Sequence, residues 1–179
     1  MNRGPARDKI AFSTKWFELV ARQVAGTKEP HYLINCTDFV TIIALDKRKR
    51  LILVRQFRPA IDGFSLELPS GHVDPGETPE ETARKELLEE TGYEAHKFEL
   101  LGDLSPAIGR FTNRMWCFFV NNAVPTSDQK FKIEDGISRR FYGGSLKRLI
   151  ANREFCSALS HAALLAAIVR GKLRERLGG

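Results

Sequence analysis

One segment of this chain has both of its ends written into it. Thr78-Pro79-Glu80-Glu81 has the form of a capping box with proline at the first helical position, and Gly92 supplies a C-terminal stop. A helix is therefore expected over Pro79–Thr91, and the rest of the chain has to pack around it. Before it, apolar runs rich in β-branched and aromatic residues at 15–23, 31–35, 39–45, 51–57 and 64–68 predict strands. Asp46-Lys47-Arg48-Lys49-Arg50 lies between two of these as a charged, solvated hairpin turn. After the helix, 98–104, 115–121 and 137–142 predict further strands, and 146–152 and 157–176 predict two helices. Strands, one helix, strands and then terminal helices predict a mixed sheet with helices on its faces.

Composition narrows the class. A chain of 179 residues is long enough for one domain, and 42% apolar with 28% charged residues is the balance of an ordinary globular protein rather than a disordered, collagenous or repeat one. The net charge of +6 does not by itself choose among nucleic acid, a membrane surface and a small anionic substrate. Its distribution says more: basic residues gather at 47–50, 139–140 and 170–176, while 74–90 is acidic. Cys36, Cys117 and Cys156 are odd in number and widely spaced, so they predict neither a disulfide framework nor a zinc site, but buried thiols in a reducing compartment. No apolar run reaches the length of a membrane span and the start leads into no signal-peptide core, so a cytoplasmic protein without membrane contact is expected.

The helix carries an arrangement that folding does not ask for. Glu86, Glu89 and Glu90 stand at i, i+3 and i+4, which puts their carboxylates side by side on one face. They also crowd the last turn, where the helix macrodipole is negative and each acid costs roughly 0.3–1 kcal/mol. A solvated acidic face bridged to Arg84 and Lys85 is the bland alternative. A divalent cation reverses the sign of these costs, because Mg²⁺ prefers hard oxygen ligands and keeps waters that substrate phosphates can replace. The preceding 66–77 runs from a strand into a turn-rich loop in which Pro69 and Gly71 break the strand and free backbone oxygens that can join a metal shell.

These residues also form a known pattern. Gly71, five residues, Glu77, seven residues, then Lys85-Glu86-Leu87-Leu88-Glu89-Glu90-Thr91-Gly92-Tyr93 resembles the Nudix box, with lysine where the pattern has arginine. The resemblance implies an α/β/α sandwich around a mixed β-sheet and hydrolysis of a nucleoside diphosphate linked to another group. It implies Glu86, Glu89 and Glu90 as ligands of Mg²⁺ or Mn²⁺, with the Ser70 carbonyl as a further ligand. Gly71, Glu77, Lys85 and Gly92 are then structural, Glu77 bracing the loop against the helix or contacting metal through water. Lys85 keeps the charge of the box arginine without its planar fork.

The flanks narrow the branch. Val54-Arg55-Gln56-Phe57-Arg58-Pro59, Glu67-Leu68-Pro69-Ser70-Gly71 and Leu104-Ser105-Pro106-Ala107-Ile108-Gly109 resemble the ADP-ribose and nucleoside-diphosphate-sugar pyrophosphatases. The resemblance implies Arg58 and Glu67 at the substrate site, with Arg58 on a pyrophosphate oxygen; Arg55 is read as a surface residue. Arg114, in Thr112-Asn113-Arg114, is a candidate for the distal sugar or phosphate. A general base is expected from Glu134-Asp135-Gly136-Ile137, with Glu134 the first candidate, Asp135 next, and the box glutamates Glu86 and Glu90 remaining in the catalytic set; Gly136 stands where the branch leads one to expect an acid. Residues 1–36 are expected to form a β-rich arm suited to homodimer contacts, and 37–179 the hydrolase domain with its box at 71–93.

The expected reaction is metal-dependent hydrolysis of ADP-ribose or a nucleoside diphosphate sugar to a nucleoside monophosphate and a sugar phosphate. Within the family, dinucleoside polyphosphates, damaged nucleotides and capped RNA are the alternatives; no interleaved aromatic and basic surface favours nucleic acid. A nucleotide-sugar sensor that has lost catalysis is the rival from another class. Retention of all three helix carboxylates argues against it.

Overall fold

The computed structural model describes residues 8–174. Strands β1 (Asp8–Ser13), β2 (Phe17–Arg22) and β3 (His31–Cys36) form an antiparallel sheet of their own. The remaining strands are β4 (Phe39–Asp46), β5 (Leu51–Arg58), β6 (Gly63–Glu67), β7 (Ser70–His72), β8 (Tyr93–Glu94), β9 (Glu99–Leu104), β10 (Met115–Pro125) and β11 (Ile137–Tyr142). They build an eight-stranded sheet ordered β11-β5-β4-β10-β8, with β6 on β5, β7 on β4 and β9 on β10. β4 and β10 run parallel and the other pairs antiparallel, so the sheet is mixed.

Alternation along the strands assigns the faces. Val40, Ile42 and Ala44 of β4 and Ile52 of β5 pack with Ala83 and Leu87 of helix α1 (Pro79–Thr91). Ile43, Leu45, Leu51 and Leu53 point the other way, onto Leu146 and Leu149 of α2 (Leu146–Ile150) and Ala163, Leu164 and Ala167 of α3 (Ala158–Val169), with Phe155 fully buried among them. Because both faces are covered, β4 and the first half of β5 read as continuous apolar runs rather than alternating ones. The expected α/β/α sandwich is the one observed.

The structure departs from the sequence reading in several places. β1 lies in a stretch not read as a strand; every residue of it is exposed, and its pairing with β2 shifts register between Ile10 and Phe12. Ser70–His72, read as loop after a strand break, is a short strand opposite Phe39, Val40 and Thr41. Pro69 still takes part, because its carbonyl accepts from Ile42 N at 2.9 Å. β10 continues past residue 121 to Pro125 through a register shift near Asn122, whose φ is +59°. α3 stops at Val169 rather than running to 176, because Gly171 turns left-handed at φ +68°; residues 175 and 176 lie outside the described part. Of the three cysteines only Cys117 is buried; Cys36 is half-buried and Cys156 exposed, and all are free thiols. Among the described residues, no helix is long and apolar enough to cross a membrane.

Candidate active site

α1 positions the box. Thr78 Oγ1 accepts from the backbone of Glu81 while the Glu81 carboxylate accepts from Thr78 N at 2.8 Å, closing a capping box at its start. At its end Gly92 adopts φ +68° and its N–H reaches the Leu88 carbonyl at 2.7 Å. The 74–77 turn is held against the helix from two sides. Glu77 accepts from Thr82 Oγ1 at 2.7 Å, and Lys85 Nζ donates to Asp74 at 2.8 Å and contacts Glu77 at 3.5 Å. The Asp74 bond raises the Lys85 ammonium above its ordinary range.

Of the three helix carboxylates, Glu90 is buried, Glu86 half-buried and Glu89 exposed. Glu90 accepts from Ser70 N at 2.9 Å, so strand β7 and helix α1 meet at this carboxylate. Gly71 explains how closely they meet: a Cβ there would overlap the Glu86 carboxylate. Burial pushes Glu90 up to about 8, against the pull of its Ser70 bond and with the help of Glu86, Glu134 and Glu67. Burial also pushes Glu86 up to about 7, aided by Glu89, Glu134 and Asp74 and opposed by Lys85.

Arg58 and Glu67 come to the same neighbourhood from β5 and β6. Period-two alternation places Arg58 on the face of Ile52, toward α1, and places Ser65 and Glu67 opposite Leu66, which packs on the α3 side. The Arg58 guanidinium grips Glu67 through Nε at 2.8 Å and Nη2 at 2.7 Å, a bidentate pair. Burial alone would raise Glu67; the bonds from Arg58 and from Ser65 Oγ outweigh it and hold Glu67 below the usual carboxylate range. Arg58 feels the charge of Glu90 and Glu90 that of Glu67, so the pair and the helix carboxylates form one electrostatic group.

Glu134 joins this group through its backbone: its N–H donates to the Glu89 carbonyl at 3.2 Å, and its charge raises both Glu86 and Glu90. Gly136, at φ +85°, makes the turn into β11, a conformation that side chains rarely adopt. Other polar side chains of these segments are engaged elsewhere. Arg114 pairs with Asp103 on β9, and Arg55 is held bidentate by Glu154 at 2.9 and 2.8 Å on the α3 side. His72 shares a hydrogen bond with Thr37 at 3.2 Å. Sequence reasoning missed Ser65, a serine with no motif around it, and Arg139, visible only as one of two neighbouring arginines.

The donor set fits a divalent cation. It consists of hard oxygens only, and the missing side chain at Gly71 lets the Glu86 carboxylate lie directly against β7. Two of the carboxylates are driven toward protonation by burial and by one another, a strain a cation relieves. Among the described residues no three such side chains already converge as a closed cage; an ion that keeps part of its water shell needs none.

The comparisons with known proteins fall on the same segment. The NUDIX domain matches residues 37–140. An ADP-ribose pyrophosphatase of Bacillus subtilis (strain 168) is 35% identical over 133 residues, which is 73% of this chain and 71% of that protein. An ADP-sugar pyrophosphatase of Mus musculus is 40% identical over 75 residues, 40% of this chain and 33% of its own length. A crystal structure described as an ADP compounds hydrolase superposes with a TM-score of 0.74 at 19% identity, covering 97% of this chain and 100% of that one, a likeness of fold. With the domain spanning more than half of the chain and its box closed around Glu86 and Glu90, this protein belongs to the Nudix family.

Proposed function

We propose that this chain is a Nudix pyrophosphohydrolase that cleaves ADP-ribose or a related nucleoside diphosphate sugar into a nucleoside monophosphate and a sugar phosphate. The observation that carries the reading is the gathering of Glu86 and Glu90, the Glu134 segment and the Arg58–Glu67 pair on the α1 side of the sheet. The relatives named as acting on ADP-ribose and ADP-sugars support the substrate class.

Glu86, Glu89, Glu90 and the Ser70 carbonyl would hold Mg²⁺ or Mn²⁺. Such an ion, once bound, neutralises charge on the pyrophosphate and makes water a better nucleophile. Glu67 occupies Nε and Nη2 of Arg58, so the guanidinium keeps its remaining N–H groups in a fixed direction for a phosphate oxygen. Glu134 takes the proton of the attacking water. The water oxygen bonds to one phosphorus as the bridging oxygen leaves with the other phosphate. Arg114, tied to Asp103 beside the parallel β4–β10 pair, is the weakest of the substrate candidates.

The β-rich arm is best read as a dimer element. Ile10, Phe12 and Trp16 are 56%, 56% and 66% exposed, and a three-stranded sheet with so little buried side chain needs a partner surface. A second copy of the chain is the partner proposed; gel filtration at twice the monomer mass supports it and a monomer refutes it. The unpaired thiols suit a reducing cytoplasm.

The deciding assay offers ADP-ribose, ADP-glucose, UDP-glucose, GDP-mannose and diadenosine polyphosphates with Mg²⁺ and with Mn²⁺. Monophosphate release from the sugar-linked group is the expected result. Cleavage of diadenosine polyphosphates alone would move the protein to another branch, and binding without hydrolysis would make it a sensor.

A further inference from the structure

Helix α1 ends on a glycine cap, but with a charge that its own sequence leaves uncompensated. Its last turn holds Glu89 and Glu90 and no basic residue, at the end where the macrodipole favours cations. The compensation comes from elsewhere in the chain. Arg139 of β11 donates through Nη1 to the Thr91 carbonyl, next to Glu90. Its guanidinium is held over the Tyr93 ring at 5.2 Å and the Phe141 ring at 5.3 Å, and the two rings meet edge-on at 5.7 Å. The segment leading into β11 closes on the same helix end. Thr126 N donates to the Gly92 carbonyl at 2.9 Å, Glu134 N to the Glu89 carbonyl at 3.2 Å, and Ile137 N to the Glu134 carbonyl at 3.2 Å. Phe131 lies so close to Gly92 that a Cβ there would stand 3.0 Å from its ring. Carbonyls left unpaired where a helix stops are thus taken up by the stretch of chain that bears Glu134.

We propose that Arg139 is a positioning residue for the reaction: by binding the Thr91 carbonyl it locks β11 to the end of α1 and so fixes Glu134 against the helix carboxylates. This rests on Glu134 acting as the base. Glu134 sits in a turn that meets α1 through its backbone bond to the Glu89 carbonyl, three residues before a strand that would otherwise meet α1 through side-chain packing alone. Arg139 is the charged anchor between the two, and its planar fork and stacked position are not available to lysine.

The test is a cycle of Arg139→Ala, Glu134→Gln and the double variant, with Arg139→Lys as the milder change and Arg140→Ala as a neighbouring control. Arg139→Ala is expected to lower kcat by about 10–100-fold, the range seen when a residue that holds a site in place is lost, while KM changes little. Arg139→Lys should lose less, and Arg140→Ala should behave as wild type. In the Glu134→Gln background, removing Arg139 should cause little further loss, and added guanidinium ion should restore part of the Arg139→Ala rate. Hydrogen exchange gives a readout apart from activity: the Glu134 amide should exchange faster in Arg139→Ala while the amides in the middle of α1 stay protected. Additive losses in the cycle, or an unchanged Glu134 amide in a folded Arg139→Ala protein, would overturn the positioning role and leave Glu134 standing as the base. A wild-type rate for Glu134→Gln alone would overturn the base assignment, and this inference with it.

Discussion

At the scale of single residues the site is a set of acids held where acids are unfavourable. Glu90 is buried against Ser70 with Glu86, Glu134 and Glu67 around it, an arrangement that a bound divalent cation would relieve. Glu90→Gln should therefore have two opposite effects. Hydrolysis should fall by orders of magnitude at saturating Mg²⁺, while in EDTA at pH 8 the variant should melt no lower than wild type, because the amide removes a buried charge. Near wild-type turnover would sink the assignment of this carboxylate. Gly71→Ala acts on the same geometry from the strand side. Its Cβ meets the far end of the Glu86 side chain, which can swing away, so the fold should survive with a melting temperature close to wild type. Metal affinity, measured by calorimetry, should drop by roughly 10–100-fold because the ligand has moved; an unchanged affinity would show that Glu86 binds from another rotamer. The three glutamates were legible in the sequence because their spacing is local. Ser65 and the Arg58–Glu67 grip were not, since that bond depends on the pairing of β5 with β6.

At the scale of elements, α1 was readable to the residue because its ends are decided by neighbours in sequence: a capping box and proline at one end, a left-handed glycine at the other. Thr78→Ala removes the box and should cost about 1 kcal/mol of stability, seen as a lower urea midpoint with an unchanged slope. Activity at 25 °C should be retained, because the cap lies at the end of the helix away from Glu89 and Glu90; a large kcat loss would mean that the cap sets the carboxylate geometry. Strand β7 shows the opposite case. Pro69 and Gly71 are the residues of a strand break, yet Ser70–His72 pairs with β4 because the backbone there lies beside a ready strand and beside Glu90. Local propensity favours a loop, and tertiary pairing overrides it.

At the scale of the whole molecule, charge and stability are linked through pH. Glu86 and Glu90 are raised in the folded state to about 7 and about 8, so without metal the folded chain binds more protons than the unfolded one above the usual carboxylate range. The stability this represents is present in full below the unfolded value and lost as the pH rises through the folded ones. Glu67 is lowered, so its contribution has the opposite sign: it is present above the unfolded value and lost as the pH falls through the folded one. In EDTA the melting temperature should then peak in mildly acidic solution and decline toward pH 8, each kcal/mol shifting it by about 2–4 °C for a chain of this size. Mg²⁺ should restore more at pH 8 than at pH 5.5; an equal gain at both would mean that metal does not bind these carboxylates. Within a net charge of +6, an acidic helix end is met by single arginines from distant strands. What the sequence determined alone was the helix with its caps, the acids on one face, the apolar strands and the family pattern, because each rests on interactions between residues a few positions apart. Which strands pair, which face Arg58 and Glu67 take, and that Arg139 closes the end of α1 were decided only by the tertiary structure, where register and packing join residues that the chain keeps far apart.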